Sequence, residues 1–162
     1  MTTVYSNGVA VFGATDLDSL ASSTTLVAGW ESGVITNSVD THMLSGRFKA
    51  NNTAPAAGLL EVWVMPAWDI AGTPTYPDVF DGTSSAETVS YRNVLLQSGR
   101  LAWSFNTDAT VNRIYEFGQI DIGALFATMP KRYTVFVTHS MVQALNATAN
   151  AGGQCWYEPV TF

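Results

Sequence analysis

The hexapeptide Leu60-Glu61-Val62-Trp63-Val64-Met65 places apolar side chains on both faces of any extended strand it forms. Alternation puts Leu60, Val62 and Val64 on one side and Glu61, Trp63 and Met65 on the other. One charge among large apolar groups marks an interior strand, covered by the core on one face and partly covered on the other. Pro66 has no amide hydrogen, so regular pairing is expected to stop there. Residues 67–85 follow, rich in Pro, Gly, Asp and Thr and carrying Trp68, Tyr76 and Phe80. A buried strand thus opens into a long aromatic loop, where specific recognition is expected.

Short extended patterns recur along the rest of the chain. Leu44, Gly46 and Phe48 oppose Met43, Ser45, Arg47 and Lys49. Leu101, Trp103 and Phe105 share a face, and Arg113, Tyr115 and Phe117 alternate with Ile114 and Glu116. Tyr133, Val135 and Val137 alternate with Thr134, Phe136 and Thr138. Residues 24–30, 34–36, 87–97 and 154–162 read as further extended segments, and Asn7-Gly8, Ser98-Gly99 and Asn106-Thr107-Asp108 as turns. Asp16 is placed to cap one helical turn carrying Leu17 and Leu20. Residues 121–129 form the best helix candidate, with Asp121 at the N-cap and Pro130 ending it.

About eight to ten short strands, with nowhere to put crossover helices, predict an all-β fold. The expected architecture is an antiparallel β-sandwich or jelly roll with one short helix. Residues 1–8 read as an N-terminal arm and 9–162 as a single sandwich domain. A domain of this length buries roughly 70% of the surface of its unfolded chain.

Hydrophobic residues make up 47% of the chain and charged residues 12%, against a usual charged share of about 25%. A chain so short of solubilising charge is expected to cover part of its surface in an assembly. The net charge of −6 and the scatter of seven basic residues argue against nucleic-acid binding. No apolar stretch approaches the roughly 20 residues of a membrane span, and the first residues lack a secretory signal. Synthesis in the cytosol is the expectation.

Candidate chemistry is sparse. His42 and His139 lie in separate strands and are expected at a surface or interface; meeting with Asp69 or Asp78 as a metal site is the less favoured reading. Cys155, the single cysteine, sits in a Trp- and Tyr-flanked strand and reads as a buried, inert thiol. Asp69, Asp78 and Asp81 share a loop but lack a regular calcium-loop spacing, so turn formation is preferred. Glu61 and Glu116 show no sign of a shared cleft and read as solvated or cross-strand residues. No catalytic residue, metal ligand or cofactor is assigned, and the chain is expected not to be an enzyme. Trp68, Tyr76 and Phe80 suit either sugar stacking or a protein contact; with few charges nearby, contact with a neighbouring subunit ranks first.

Several stretches carry a resemblance. They are Met1-Thr2-Thr3-Val4-Tyr5, Leu60-Glu61-Val62-Trp63-Val64, Tyr76-Pro77-Asp78, Met129-Pro130-Lys131 with Val135-Phe136-Val137-Thr138-His139, and Ala144-Leu145-Asn146-Ala147-Thr148. In this order they resemble small virion proteins of tailed bacteriophages, of the head decoration or cement type. The resemblance implies a β-rich protein without enzymatic groups that sits on the capsid exterior. It further implies that such a protein bridges subunits of the major capsid protein and forms a homo-oligomer, commonly a trimer. Thr2, Thr3, Val4 and Tyr5, in a β-prone arm, are then candidates for adding a strand to a capsid edge, beside Trp68, Tyr76 and Phe80. The alternative is a receptor- or carbohydrate-binding module of a phage tail or fibre.

Overall fold

The computed structural model describes residues 4–5, 8–70, 72–147 and 153–162. Elements are numbered in chain order. In sheet A, β1 (Val4–Tyr5) and β2 (Val9–Ala10) both pair with β13 (Gly153–Thr161). That strand pairs with β5 (Thr41–Lys49), which pairs with β11 (Ile114–Asp121). Sheet B runs β10 (Arg100–Thr107), β6 (Gly58–Pro66), β12 (Arg132–His139), β3 (Ala28–Glu31), β9 (Ser85–Thr88). A short β4 (Ile35–Thr36) also lies on β12. All the pairings are antiparallel, and the protein is an all-β antiparallel sandwich.

Alternation decides what lies between the sheets. Leu44 and Phe48 of β5, Tyr115 and Phe117 of β11 and Cys155 of β13 face inward from sheet A. They meet Leu60, Val62 and Val64 of β6 and Tyr133, Val135 and Val137 of β12. Gly46 faces the same way because a Cβ there would collide with the Phe117 ring and the Cys155 Sγ. This inter-sheet core is the part of the fold that the strand periodicities predict.

Sheet B is buried on its second face as well. Trp63, Met65 and Phe136 point away from the main core into a smaller cluster with Phe80, Val89 and Leu95. The cover comes from the segment after β8 and from α1 (Asn93–Ser98), whose Val94 and Leu95 are buried. The sequence predicts an extended segment over residues 87–97, and the structure corrects it: the segment holds the end of β9 and then this helix. With six residues and no side-chain cap, α1 is stabilised by packing against Trp63 and Met65, not by its own propensity.

Other boundaries shift too. Residues 67–85 are not one loop, since β7 (Trp68–Ile70) and β8 (Thr73–Thr75) form a hairpin within them. The strand expected over 24–30 is shorter, because a turn precedes it and Leu26 has φ 56°. Asp16 caps no helix; its Oδ2 accepts from Gly13 N at 2.8 Å within a turn. The expected helix is present as α2 (Ile122–Phe126), with Asp121 Oδ1 accepting from Ala124 N at 3.2 Å. It ends at Ala127 in a left-handed conformation, before Pro130 is reached. Among the described residues no helix is long and apolar enough to cross a membrane.

Candidate functional site

The aromatic residues after β6 part company. Trp68 stands on β7, opposite Thr75, and is 53% exposed. Phe80 is only 4% exposed and meets Phe136 edge-on at 5.3 Å. It belongs to the cover of sheet B, so it is not displayed for a partner as the sequence reading proposed. Tyr76 is half-buried against Gly82, whose φ of 82° lets the chain turn beneath the ring. Its hydroxyl finds no hydrogen-bond partner among the described residues, and burial, followed by the nearby Glu31 charge, pushes its pKa up to about 12.

The acidic residues of this region do not converge. Asp69 Oδ2 accepts from Lys131 Nζ at 2.6 Å and lies 3.5 Å from Arg132 Nη1. The Lys131 hydrogen bond, helped by both cationic charges, lowers its pKa. Asp78 accepts from the amide and hydroxyl of Ser90, both at 2.7 Å, and Asp81 Oδ1 accepts from Thr83 N at 2.7 Å. Only Asp81 closes the local turn that the spacing led one to expect; Asp78 clasps a residue twelve positions away, and Asp69 is held in an ion pair. No group of three His, Cys, Asp or Glu side chains able to hold a metal occurs among the described residues.

Two acidic residues are buried instead. Glu31 accepts from the amides of Gly82 (2.9 Å) and Asp81 (3.3 Å), and burial raises its pKa against those two bonds. Glu61, expected as a solvated or cross-strand residue, is 3% exposed. Its carboxylate accepts from Arg92 Nη2 at 2.5 Å and from Trp63 Nε1 at 3.0 Å, beneath α1. Glu116 remains on the surface, 4.0 Å from Arg47.

Both histidines are interior, which corrects the surface reading. His42 Nδ1 lies 2.7 Å from the Tyr133 hydroxyl, joining sheet A to sheet B across the core. Burial lowers its pKa to about 4. His139 Nε2 donates to the Leu20 carbonyl at 2.9 Å, and burial lowers its pKa too. Cys155 is fully buried and its thiol pKa is raised by burial, as expected of an inert thiol.

Another partly apolar surface lies along the flank where β10 ends sheet B and β11 ends sheet A. Trp103 stacks with Phe105 (5.5 Å) and with Phe117 (5.0 Å), and Phe105 meets Tyr115 at 5.1 Å. Phe105 is 40% exposed and Ile114 43%. An open groove of about 470 Å³ is lined by Phe105, Arg113, Ile114, Tyr115 and Glu116. The Arg113 carbonyl accepts from Ala50 N at 2.8 Å, so the peptide groups of Arg113 and Tyr115 point to β5. Those of Ile114 and Glu116 then face the open edge. Arg113 is held by Asp108 at 3.0 Å. The chemistry on offer is an apolar seat beside free strand-pairing groups. Of the 101/103/105 pattern, Trp103 and Phe105 share the face as expected, but a bulge after Leu101 pairs that residue with Trp63 on the other face of sheet B. Nor could sequence show that both flanking strands end their sheets.

Val4 and Tyr5 pair with Thr161 and Val160 of β13, while Thr2 and Thr3 lie outside the described residues. No family model, curated protein or solved structure matches the chain.

Proposed function

We propose that this chain is a bacteriophage capsid decoration protein that binds the outer head surface and bridges subunits of the major capsid protein. One observation carries the reading: a charge-poor sandwich leaves Phe105 and Ile114 exposed, above a largely buried aromatic stack, between two unpaired sheet edges. Long edges with apolar neighbours are normally blunted by charge, proline or cover, and an edge left open is available to another chain. The residues that resemble phage virion proteins supply the shell as the partner. A homo-oligomer, with a trimer favoured, lets several copies of the flank engage one lattice position together.

The physical mechanism is linkage. A protein that binds only the assembled shell adds RT ln(1 + [L]/Kd) to its stability, about 2.7 kcal/mol per site at a hundredfold excess over Kd. The N-terminal arm already forms the end strand of sheet A through Val4–Tyr5, and a neighbour's sheet is reached through the other edge of β1.

The reading is tested by adding purified protein to heads that lack it. Wild type is expected to bind and raise the temperature at which heads release DNA. Phe105→Asp is expected to lose that binding by about tenfold or more while keeping its circular dichroism spectrum. Failure of the wild type to bind heads contradicts decoration, and undiminished binding by Phe105→Asp removes the flank from the role.

A further inference from the structure

The two sheets differ in what covers their outer faces. Sheet B carries α1 and the segment around Phe80, whereas Met43, Ser45, Arg47 and Lys49 of β5 and Gln154, Trp156 and Glu158 of β13 remain half-buried or exposed. On that face lies a groove of about 290 Å³ lined by Ala14, Arg47, Gly153, Gln154 and Trp156. Its volume is near the lower end of the range for small-molecule sites, roughly 300 Å³.

One wall of the groove is fixed. Gln154 Oε1 accepts from Phe12 N (3.3 Å) and Cys155 N (3.0 Å), and its Nε2 donates to Phe12 O at 3.1 Å. This brace ties the segment that carries Ala14 onto β13. Arg47 stands opposite Gln154, and Trp156 opposite Ser45 on the same face. Lys49 follows on that face, two positions beyond Arg47.

Charge identifies the ligand class. Arg92, Arg113, Lys131 and Arg132 are all within 3.5 Å of carboxylates of this chain, and Arg100 donates to the Gly99 carbonyl at 2.8 Å and lies over the Phe126 ring. Arg47 reaches only the exposed Glu116, at 4.0 Å, a separation at which a surface pair contributes little. Its guanidinium fork is therefore open to a planar anion, beside an indole. A nucleic acid, whose phosphate backbone needs clustered Lys and Arg, is disfavoured by the scatter of the seven basic residues. A small ligand with one carboxylate and an apolar ring face satisfies both side chains.

We propose that this groove binds an acidic saccharide, a sugar ring bearing a carboxylate. The C–H face of the ring rests on Trp156, and the carboxylate pairs with Arg47, with Lys49 adding long-range attraction. The inference goes beyond the decoration role and stands independently of it.

Isothermal titration of the full chain with an oligogalacturonate, with free galacturonate and with a neutral maltooligosaccharide tests it. The oligogalacturonate is expected to bind, the neutral sugar not, and added salt to weaken the affinity. Binding by the oligomer alone identifies a polysaccharide as the source, and binding by the free acid identifies the single ring. Arg47→Gln and Trp156→Ala are each expected to lower affinity about tenfold or more. Since Trp156→Ala removes packing from β13, Ala14→Trp, which fills the groove from outside both sheets, provides a second route to the same loss. Equal binding of neutral and acidic sugars, no binding of either acidic ligand, or affinity unmoved by Arg47→Gln and Ala14→Trp each overturns the proposal.

Discussion

A carboxylate with 3% exposure is stabilised only while its partners stay in place, and Glu61 has two of them. Arg92→Ala removes the charge partner and leaves Glu61 buried and uncompensated; the expected loss is roughly 3 kcal/mol in a urea titration. Glu61→Gln keeps an acceptor for Trp63 Nε1 and is expected to lose less. His42 gives a pH dependence of definite sign. Its folded pKa of about 4 lies below the ordinary imidazole value near 6.5, so the unfolded chain binds more protons between them. Stability contributed by the neutral ring is fully present above about pH 6.5 and is lost as pH falls toward 4, by about 3 kcal/mol. Glu31, whose pKa is raised, works in the opposite direction, so the histidine share is read as the difference between wild type and His42→Gln. A difference that does not change between neutral pH and pH 4 contradicts the assignment. Neither buried group was legible in the sequence. Tyr133 is 91 positions from His42 and Arg92 is 31 from Glu61, so each polar residue acquires its partner only through the fold.

At the scale of elements, β6 shows what period-two alternation can reveal. Its two faces were readable because Leu60, Val62 and Val64 alternate with Trp63 and Met65, and both sets are buried. α1 was not readable. Asn93-Val94-Leu95-Leu96-Gln97-Ser98 spans under two turns, too few for a 3.6-residue period to emerge, and it has no capping side chain. Its function is to roof Trp63 and Met65, so Leu95→Ala is expected to cost about 2–5 kcal/mol. A loss well under 1 kcal/mol would show that the roof is dispensable. The arm makes a contrasting case. Two residue pairs hold β1 to β13, so deleting residues 1–7 is expected to leave the melting temperature nearly unchanged. Decreased head binding by that deletion supports strand addition by the arm to the shell, and unchanged binding excludes it.

Across the whole molecule, the surfaces divide by chemistry. One outer sheet face is roofed, the opposite face offers an indole and a loosely paired arginine, and one flank exposes Phe105 and Ile114 at the rim of an aromatic stack between two sheet edges. The sequence could not locate that flank, because adjacency of β10 and β11 at the ends of different sheets is a property of topology, not of either strand alone. Cross-linking mass spectrometry of purified virions tests the central claim most directly, with Lys49 and Lys131 as the reactive side chains. The expected result is links from this chain to the major capsid protein and to further copies of itself, at a copy number that scales with the head lattice. Links confined to tail components, or absence of the chain from virions, would contradict a decoration protein outright.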